Sequence, residues 1–187
     1  LSKRYKKVSI VNIKKKEDLQ KLVKRKPDLV FSGVKYFLFG KEKIWLNDYL
    51  EIYEIPYIAS SKSALDNESD KNKAKKIIRL AKIKTADFFT TYPNEHLDTK
   101  SIPISFPLFI KPVKGGDSRG IDSSSIVNNF DSFKKKVLEI KENHNLNSMA
   151  ETYLTGREYS VGIFEESITG ILRALPVEII VKKNING

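Results

Sequence analysis

A lysine at the end of an apolar stretch, just before a glycine-rich loop, is the most distinctive chemical feature of this chain. Residues 106–120 read FPLFIKPVKGGDSRG, and Lys111 follows the strand-like residues 108–110. A lysine drawn into a protein interior needs an anion to keep its proton. Gly115 and Gly116 would let backbone N–H groups converge on such an anion. Alone, the loop fits a plain hairpin better, but Lys111 favours a loop that covers phosphates.

Other candidate residues lie on both sides of this loop. The loop is neither a Walker motif nor a dinucleotide-binding fingerprint, because a strand follows it instead of a helix. Lys71 is a second candidate cation from a predicted helix. Glu151 and Glu158 could accept hydrogen bonds from ribose hydroxyls, and the backbone of residues 151–154 could recognise a base. Taken singly, each of these residues fits an exposed charge better than a binding role, so their order along the chain is what carries information.

Composition narrows the function classes. The chain has 187 residues, 40% of them hydrophobic, and no cysteine, which excludes disulfides, zinc–thiolate sites and thiol catalysis. The net charge of +11 comes from 28 lysines but only 6 arginines, with acids nearby and no nucleic-acid stacking motif. Lysine runs such as residues 134–136 therefore predict solvated helix faces, not a nucleic-acid surface. With no predicted membrane span, we expect no membrane partner and a cytoplasmic location.

Hydrophobic periodicity predicts an α/β unit followed by an α+β unit. Strands are predicted at residues 8–11, 29–31 and 57–58, alternating with helices over 16–26 and 44–55, a pattern typical of a parallel sheet. A helix over residues 70–81 is expected to turn Ile77, Ile78 and Leu80 inward. The remaining predictions are strands at 88–90, 108–110 and 125–127, a helix over 129–140, a short apolar stretch at 149–153, and antiparallel strands at 159–164 and 171–181.

The order of these motifs resembles the D-alanine–D-alanine ligases of the ATP-grasp superfamily. It reads IPYIAS, a D-K pair, PLFIKP with its glycine loop, E-x-Y-L-x-G-R-E-Y-x-V-G-I and then LPVEI. The resemblance implies a partial N-terminal parallel-sheet domain over residues 1–62. It also implies a central ATP-grasp subdomain over 63–149 and the start of a C-terminal ATP-grasp subdomain over 150–187.

The resemblance assigns roles residue by residue. Lys71 and Lys111 would meet the phosphates of ATP, and Lys111 and Ser118 would take part in catalysis. The loop residues Gly116, Asp117 and Ser118 would cover the phosphates. The adenine and ribose contacts implied are Glu151, Tyr153, Leu154 and Glu158, and the weaker substrate candidates are Glu42 and Lys35.

The implied reaction joins two D-alanines, or similar amino acids, through an acyl phosphate for peptidoglycan precursor synthesis in the cell wall. Its implied partners are ATP, Mg²⁺ and amino acids, within a homodimer. The family's metal ligands and catalytic arginine fall beyond Gly187, so we expect no metal ligands in this chain and no turnover by residues 1–187 alone.

Some positions depart from the family pattern on the amino-acid side. Lys35 replaces a histidine, Lys43 and Ile44 replace an Asp-Gly pair after Glu42, and Asp117 stands where a serine is usual. Two alternatives therefore stay open: a non-catalytic ATP-binding relative, and an ATP-grasp ligase with another amino-acid substrate.

Overall fold

The computed structural model describes residues 3–116, 118–166 and 169–180. Five helices and ten strands are assigned within these ranges. The helices are α1 Lys16–Lys24, α2 Leu46–Ile52, α3 Lys62–Ser69, α4 Lys71–Leu80 and α5 Phe130–His144. The strands are β1 Val30–Phe31, β2 Tyr36–Phe39, β3 Glu42–Trp45, β4 Tyr57–Ile58, β5 Phe88–Thr91, β6 Leu108–Pro112, β7 Ile126–Val127, β8 Ser148–Thr152, β9 Glu158–Glu165 and β10 Leu172–Ile179.

The N-terminal part contains a short parallel pair of strands, β1 and β4. Helices α1 and α2 place the buried side chains of its core, and these are Leu19, Leu22, Val23, Leu46, Leu50 and Ile55. The parallel pairing follows the predicted alternation of strands and helices. The strand predicted at residues 8–11 was wrong, because that segment forms no ladder and only Val11 reaches the core.

A hairpin replaces the beginning of the helix predicted over residues 44–55. Strands β2 and β3 pair antiparallel, with Tyr36 opposite Trp45 and Phe39 opposite Glu42. Gly40 has a φ of 63° in the tight turn between them, a conformation that glycine adopts without strain. Ile44 and Trp45 therefore belong to strand β3, and helix α2 starts at Leu46.

The central part is a four-stranded antiparallel sheet in the order β5-β8-β6-β7. Leu108 and Ile110 of β6 are buried on one face, where Phe133, Val137 and Ile140 of α5 pack against them. The helix predicted over residues 129–140 is thus confirmed as α5. Asn129 caps this helix by accepting a hydrogen bond from the Ser132 N–H at 3.0 Å.

Helix α4 reaches the opposite face of this sheet through side chains that the sequence did not indicate. Ile77 and Leu80 are exposed and Ile78 is half-buried, so the expectation that all three turn inward was wrong. Lys71 and Lys75, one helical turn apart, face the sheet instead. The helix therefore gives up apolar burial to place two cations against the sheet.

One of the lysines predicted to be solvated is fully buried. Lys136 of α5 is 1% exposed, and its ammonium lies 2.9 Å from both Asp122 Oδ2 and Glu139 Oε1. The prediction of a solvated face was therefore wrong for Lys136, whereas Lys134 and Lys135 are exposed. Asp122 comes shortly after the glycine loop, so this cluster ties the end of the loop to α5.

Two other features complete the described residues. Strands β9 and β10 form an antiparallel ribbon, as predicted, with exposed side chains along both strands. Helix α3 occupies residues predicted as a boundary, and Ser61 caps it by accepting a hydrogen bond from Ala64 N–H at 3.3 Å. Within the described ranges, none of the helices has the length and apolar character needed to cross a membrane.

Candidate functional site

The candidate site lies on the face of the central sheet that the lysine side chains of α4 reach. Alternation along β6 sends Leu108 and Ile110 into the core and leaves Phe109 and Lys111 on the other face. Phe109 is the register partner of Glu151 on the adjacent strand β8. The register therefore brings the Lys111 and Glu151 side chains together diagonally across two neighbouring strands.

Glu151 lies between two lysines. The Lys111 ammonium donates a hydrogen bond to Glu151 Oε1, and Lys75 Nζ lies 2.9 Å from Oε2. The Lys75 contact lacks hydrogen-bond geometry, so Oε2 is paired by charge and has no directed donor. Burial raises the pKa of Glu151, but the hydrogen bond from Lys111 and the charge of Lys75 outweigh it and lower that pKa below its usual value. The carboxylate is therefore ionised at neutral pH.

Lys71 begins α4 and joins the helix to the glycine loop. Its ammonium donates to the Gly115 carbonyl at 2.7 Å, and its backbone N–H donates to the Val113 carbonyl at 3.0 Å. Burial, together with the nearby positive charge of Lys111, lowers the pKa of Lys71. A bound anion would relieve both effects, because it would supply the negative charge that this pair of lysines lacks.

The glycine loop is held at both ends and exposed in the middle. At its start, Gly115 N–H donates to the Ser69 carbonyl at 3.0 Å, and Asp70 forms an isolated bridge with Lys114. At its end, Gly120 packs against Pro112 and His144. The predicted contacts Gly116 and Ser118 lie between these anchors, and Ser118, with a φ of 56°, is exposed. Asp117, also predicted, lies outside the described residues.

The predicted base and ribose contacts follow the end of β8. Tyr153 stacks on Phe109 with ring centroids 6.5 Å apart, and its N–H donates to the Pro107 carbonyl at 3.1 Å. Leu154 is exposed, and Glu158 is exposed at the start of β9. The structure thus brings Lys111 and Glu151 into direct contact and places Lys71 where their charges act on it. Tyr153, Leu154 and Glu158 lie along one continuous segment after Glu151.

An open cleft of about 660 Å³ lies beside this segment. Thr152, Tyr153 and Phe88 line it together with residues 103–107, and the Arg79–Asp87 ion pair lies at its edge. None of the lysines of the site lines this cleft. It therefore adjoins the predicted base contacts but is separate from the predicted phosphate contacts.

The two residues predicted for the amino-acid side do not come together. Glu42 accepts hydrogen bonds from Lys16 Nζ at 2.7 and 3.0 Å, whereas Lys35 pairs with Glu68. Both pairs are exposed. Exposed ion pairs contribute little stability and exchange readily with water, so neither residue is locked away from a ligand.

Lys75 is the member of the site that the sequence reasoning missed. Its spacing of one helical turn from Lys71 was a usable signal, because both residues then share a helix face. That signal was overlooked because Ile77, Ile78 and Leu80 were expected to form the inward face of α4. Its partner Glu151 lies far along the chain, a pairing that periodicity cannot indicate.

The described residues offer no metal site. Mg²⁺ prefers oxygen ligands, with at least one or two free carboxylates. The described ranges hold no group of three or more acidic or histidine side chains arranged for a metal ion, and Glu151 is already paired with two lysines. These residues therefore do not fit a Mg²⁺ site, and no chemical step is assigned to Mg²⁺ here.

Curated sequence relatives point to one enzyme family. The chain is 34% identical over 164 residues to a D-alanine–D-alanine ligase of Leptospira interrogans, which covers 82% of this chain and 44% of the relative. It is 32% identical over 167 residues to that of Aquifex aeolicus, covering 88% and 53%. Over most of its length the chain is thus similar to D-alanine–D-alanine ligases, as a divergent relative. It spans about half the length of these curated relatives, and no family model matches it.

The solved structures agree on the fold. A D-alanine–D-alanine ligase from Bacillus anthracis complexed with ATP matches with a TM-score of 0.55 at 22% identity, covering 89% of this chain and 57% of that one. The chain thus shares its mixed helix-and-strand fold with a solved D-alanine–D-alanine ligase, as the sequence resemblance implied.

Proposed function

We propose that this chain forms the nucleotide-binding part of an ATP-dependent carboxylate–amine ligase that joins two D-alanines for peptidoglycan precursors. The observation that carries the proposal is the cluster of Lys71, Lys111 and Glu151 beside a glycine loop anchored at both ends. The curated relatives, which are named as D-alanine–D-alanine ligases, support the same reaction class.

The proposed binding mode follows from charge. Lys71 and Lys111 attract the phosphates, and the backbone N–H groups around Gly116 and Ser118 cover them. Glu151 Oε2, a buried acceptor without a hydrogen-bond donor, accepts from the amino group of adenine. The exposed segment from Tyr153 to Glu158 lies along the base and the ribose.

The proposed reaction has two steps. A carboxylate oxygen of the first amino acid forms a bond to the γ-phosphorus of ATP, the bond from that phosphorus to ADP breaks, and an acyl phosphate results. The amine of the second amino acid then attacks the acyl carbon, phosphate leaves with the bonding electrons, and the amine loses a proton. Lysines aimed at the phosphates stabilise the charge that develops in the first step.

ATP binding to the chain tests the nucleotide part of this proposal. We expect calorimetry to detect ATP binding to the wild type and a loss of affinity of at least about tenfold in Lys111→Met, because a charge-assisted contact is worth about 1.5–3 kcal/mol. Lys76→Met is the matched control, since Lys76 is an exposed lysine on α4. Equal losses in both variants would reduce the effect to net charge and remove Lys111 from the site.

A second function is favoured by one observation, the pairing of Glu42 with Lys16 and of Lys35 with Glu68. Both predicted amino-acid contacts are paired with other side chains of the chain, and such pairing is expected of a relative that binds ATP without ligation. A screen of ATP hydrolysis by the parent protein against single D- and L-amino acids separates the two. Hydrolysis that depends on D-alanine supports the ligase, and ATP binding with no amino-acid dependence supports the non-catalytic relative.

A further inference from the structure

Lys75 is the most firmly fixed cation of the site. Its side chain is 13% exposed, and its ammonium donates hydrogen bonds to Thr85 Oγ1 at 2.8 Å and to the Ala86 carbonyl at 3.3 Å. The same nitrogen lies 2.9 Å from Glu151 Oε2 and 5.1 Å from the centre of the Phe88 ring. Two of its three donors are used in hydrogen bonds, and the ion pair and the ring hold the ammonium from two further sides.

Lys111 is held differently. Among the residues that the structure describes, the contacts of its ammonium are Glu151 and the ring of Phe109, whose centre lies 5.6 Å away. One ion pair and one ring leave two of its three donors available to an incoming anion. Of the two lysines beside Glu151, Lys111 can therefore turn towards a phosphate while Lys75 cannot.

When Lys111 turns away, Lys75 is the cation that remains beside the Glu151 carboxylate. Once Lys111 turns away, Glu151 would remain as a carboxylate only 14% exposed and without its hydrogen bond. A buried carboxylate that loses its partners takes up a proton or moves towards water. Either change would remove the acceptor that the proposed function assigns to adenine.

We propose that Lys75 is a positioning residue that holds the Glu151 carboxylate in place when Lys111 turns to the phosphates of a nucleotide. The inference rests on the proposed function, because it takes the departure of Lys111 from nucleotide binding. Lys75 itself touches neither substrate nor reacting atoms. It acts through Glu151 alone.

The charged groups around Glu151 define the expected electrostatics. From β6 it faces Lys111, and from α4 it faces Lys75, with the charge of Lys71 beyond them. Just before β5, the carboxylate of Asp87 is exposed and paired with Arg79 at 3.0 Å. Loss of Lys111 alone leaves one close cation, and loss of both leaves only the more distant Lys71.

Carboxyl titration of Glu151 tests the inference without requiring ATP. The full chain is labelled with carbon-13 at glutamate side-chain carboxyls, and the Glu151 signal is assigned by its absence in Glu151→Gln. Lys111→Met represents the state in which Lys111 has left. We expect Glu151 to titrate at or below its usual pKa in Lys111→Met, and about 1–3 pH units higher in Lys111→Met/Lys75→Met.

Two controls separate positioning from general damage to the fold. Lys111→Met/Lys76→Met carries the same net charge as the test variant, and we expect it to titrate like Lys111→Met. Lys111→Met/Lys75→Arg restores a cation at position 75, and we expect it to bring the pKa of Glu151 back to that in Lys111→Met. Should Lys75→Met not fold, Lys75→Gln supplies the same comparison, since it keeps a donor for Thr85 but has no charge.

The outcomes distinguish the two proposals. Titration of the Lys111→Met/Lys75→Met variant at the same pH as Lys111→Met overturns the positioning role, whatever ATP does. A raised pKa that arginine reverses supports it. If the variants give that result but the wild-type chain binds no ATP in calorimetry, the pairing of Lys75 with Glu151 stands and the proposed nucleotide site fails.

Discussion

At the scale of single residues, buried charges carry most of the information that the sequence concealed. Lys136 belongs to a run of three lysines that looks solvated, yet its side chain lies between Asp122 and Glu139. Burying an ammonium is costly unless it is paired. The carboxylate of Asp122 offsets that cost by pairing with the ammonium, so the end of the glycine loop is joined to α5 by an ion pair.

The pKa of Asp122 makes this pairing measurable. A hydrogen bond from the Ser124 hydroxyl and then one from Lys136 lower the pKa of Asp122 below 3.8. A carboxyl with a lowered folded-state pKa adds stability above its unfolded pKa, and that stability is lost as pH falls through the folded pKa. Asp122 is about half exposed, so solvent weakens the pairing. As the pH falls from 5 to 3, we expect the free energy of unfolding of Lys136→Met to decrease by on the order of 0.5 kcal/mol less than that of the wild type.

Urea unfolding of both proteins across this pH range checks the expectation. At pH 7 we expect Lys136→Met to be within about 1 kcal/mol of the wild type, because methionine fills the site without a buried charge. Lys135→Met, an exposed neighbour on the same helix, serves as control and should keep the wild-type slope. Parallel pH curves for wild type and Lys136→Met would refute the link between Lys136 and Asp122.

At the scale of elements, local signals predicted much of the fold. Helix α5, the parallel pair β1 and β4, and the β9–β10 ribbon all follow from periodicity and turn residues. The β2–β3 hairpin was missed although its signal was present. A glycine at position 40 separates two apolar stretches that pair through a short turn, as hairpin sequences do.

Helix α4 shows what periodicity cannot supply. Ile77 and Leu80 gave the apolar signal, but the face of Lys71 and Lys75 lies on the sheet. The winning partner is Glu151, which local spacing does not connect to α4. Positions where tertiary contacts overrule local preference tend to be functional. Here the lysine face of α4, which local preference did not favour, lines the candidate site.

The glycine loop depends on close packing at its far end. Gly120 has a φ of 70°, and a Cβ there would lie 2.8 Å from Pro112 Cγ and 3.0 Å from two atoms of the His144 ring. Gly120→Ala must therefore adopt a left-handed backbone and push these rings apart. We expect it to lower the free energy of unfolding by about 2–4 kcal/mol in urea.

The matched control lies in the same loop. At Gly116 the φ is not left-handed, and a Cβ would meet only Glu68 Oε1 at 3.8 Å. We expect Gly116→Ala to leave stability within about 0.5 kcal/mol of the wild type. Equal costs at the two glycines would mean that the end of the loop is not packed as described.

At the scale of the whole molecule, the described residues form two hydrophobic cores with no shared member. Leu50 belongs to the N-terminal core with α1 and α2, and Ile110 belongs to the central core with α5. The ion pair Lys62–Asp48 and the hydrogen bond from Asn47 to the Ser60 carbonyl join α2 to the start of α3, and the exposed Lys35–Glu68 pair joins the N-terminal part to the end of α3. We propose that the two cores unfold as separate units, with the nucleotide contacts on the central one.

The single tryptophan allows this to be measured, because Trp45 ends β3 beside Leu46 of the N-terminal core. Truncating a buried leucine or isoleucine to alanine costs about 2–5 kcal/mol. We therefore expect Leu50→Ala to shift the urea transition followed by Trp45 fluorescence, and Ile110→Ala to shift a separate transition followed by circular dichroism. ATP should move only the second. One coincident transition, shifted alike by both substitutions and by ATP, would show that the cores unfold together.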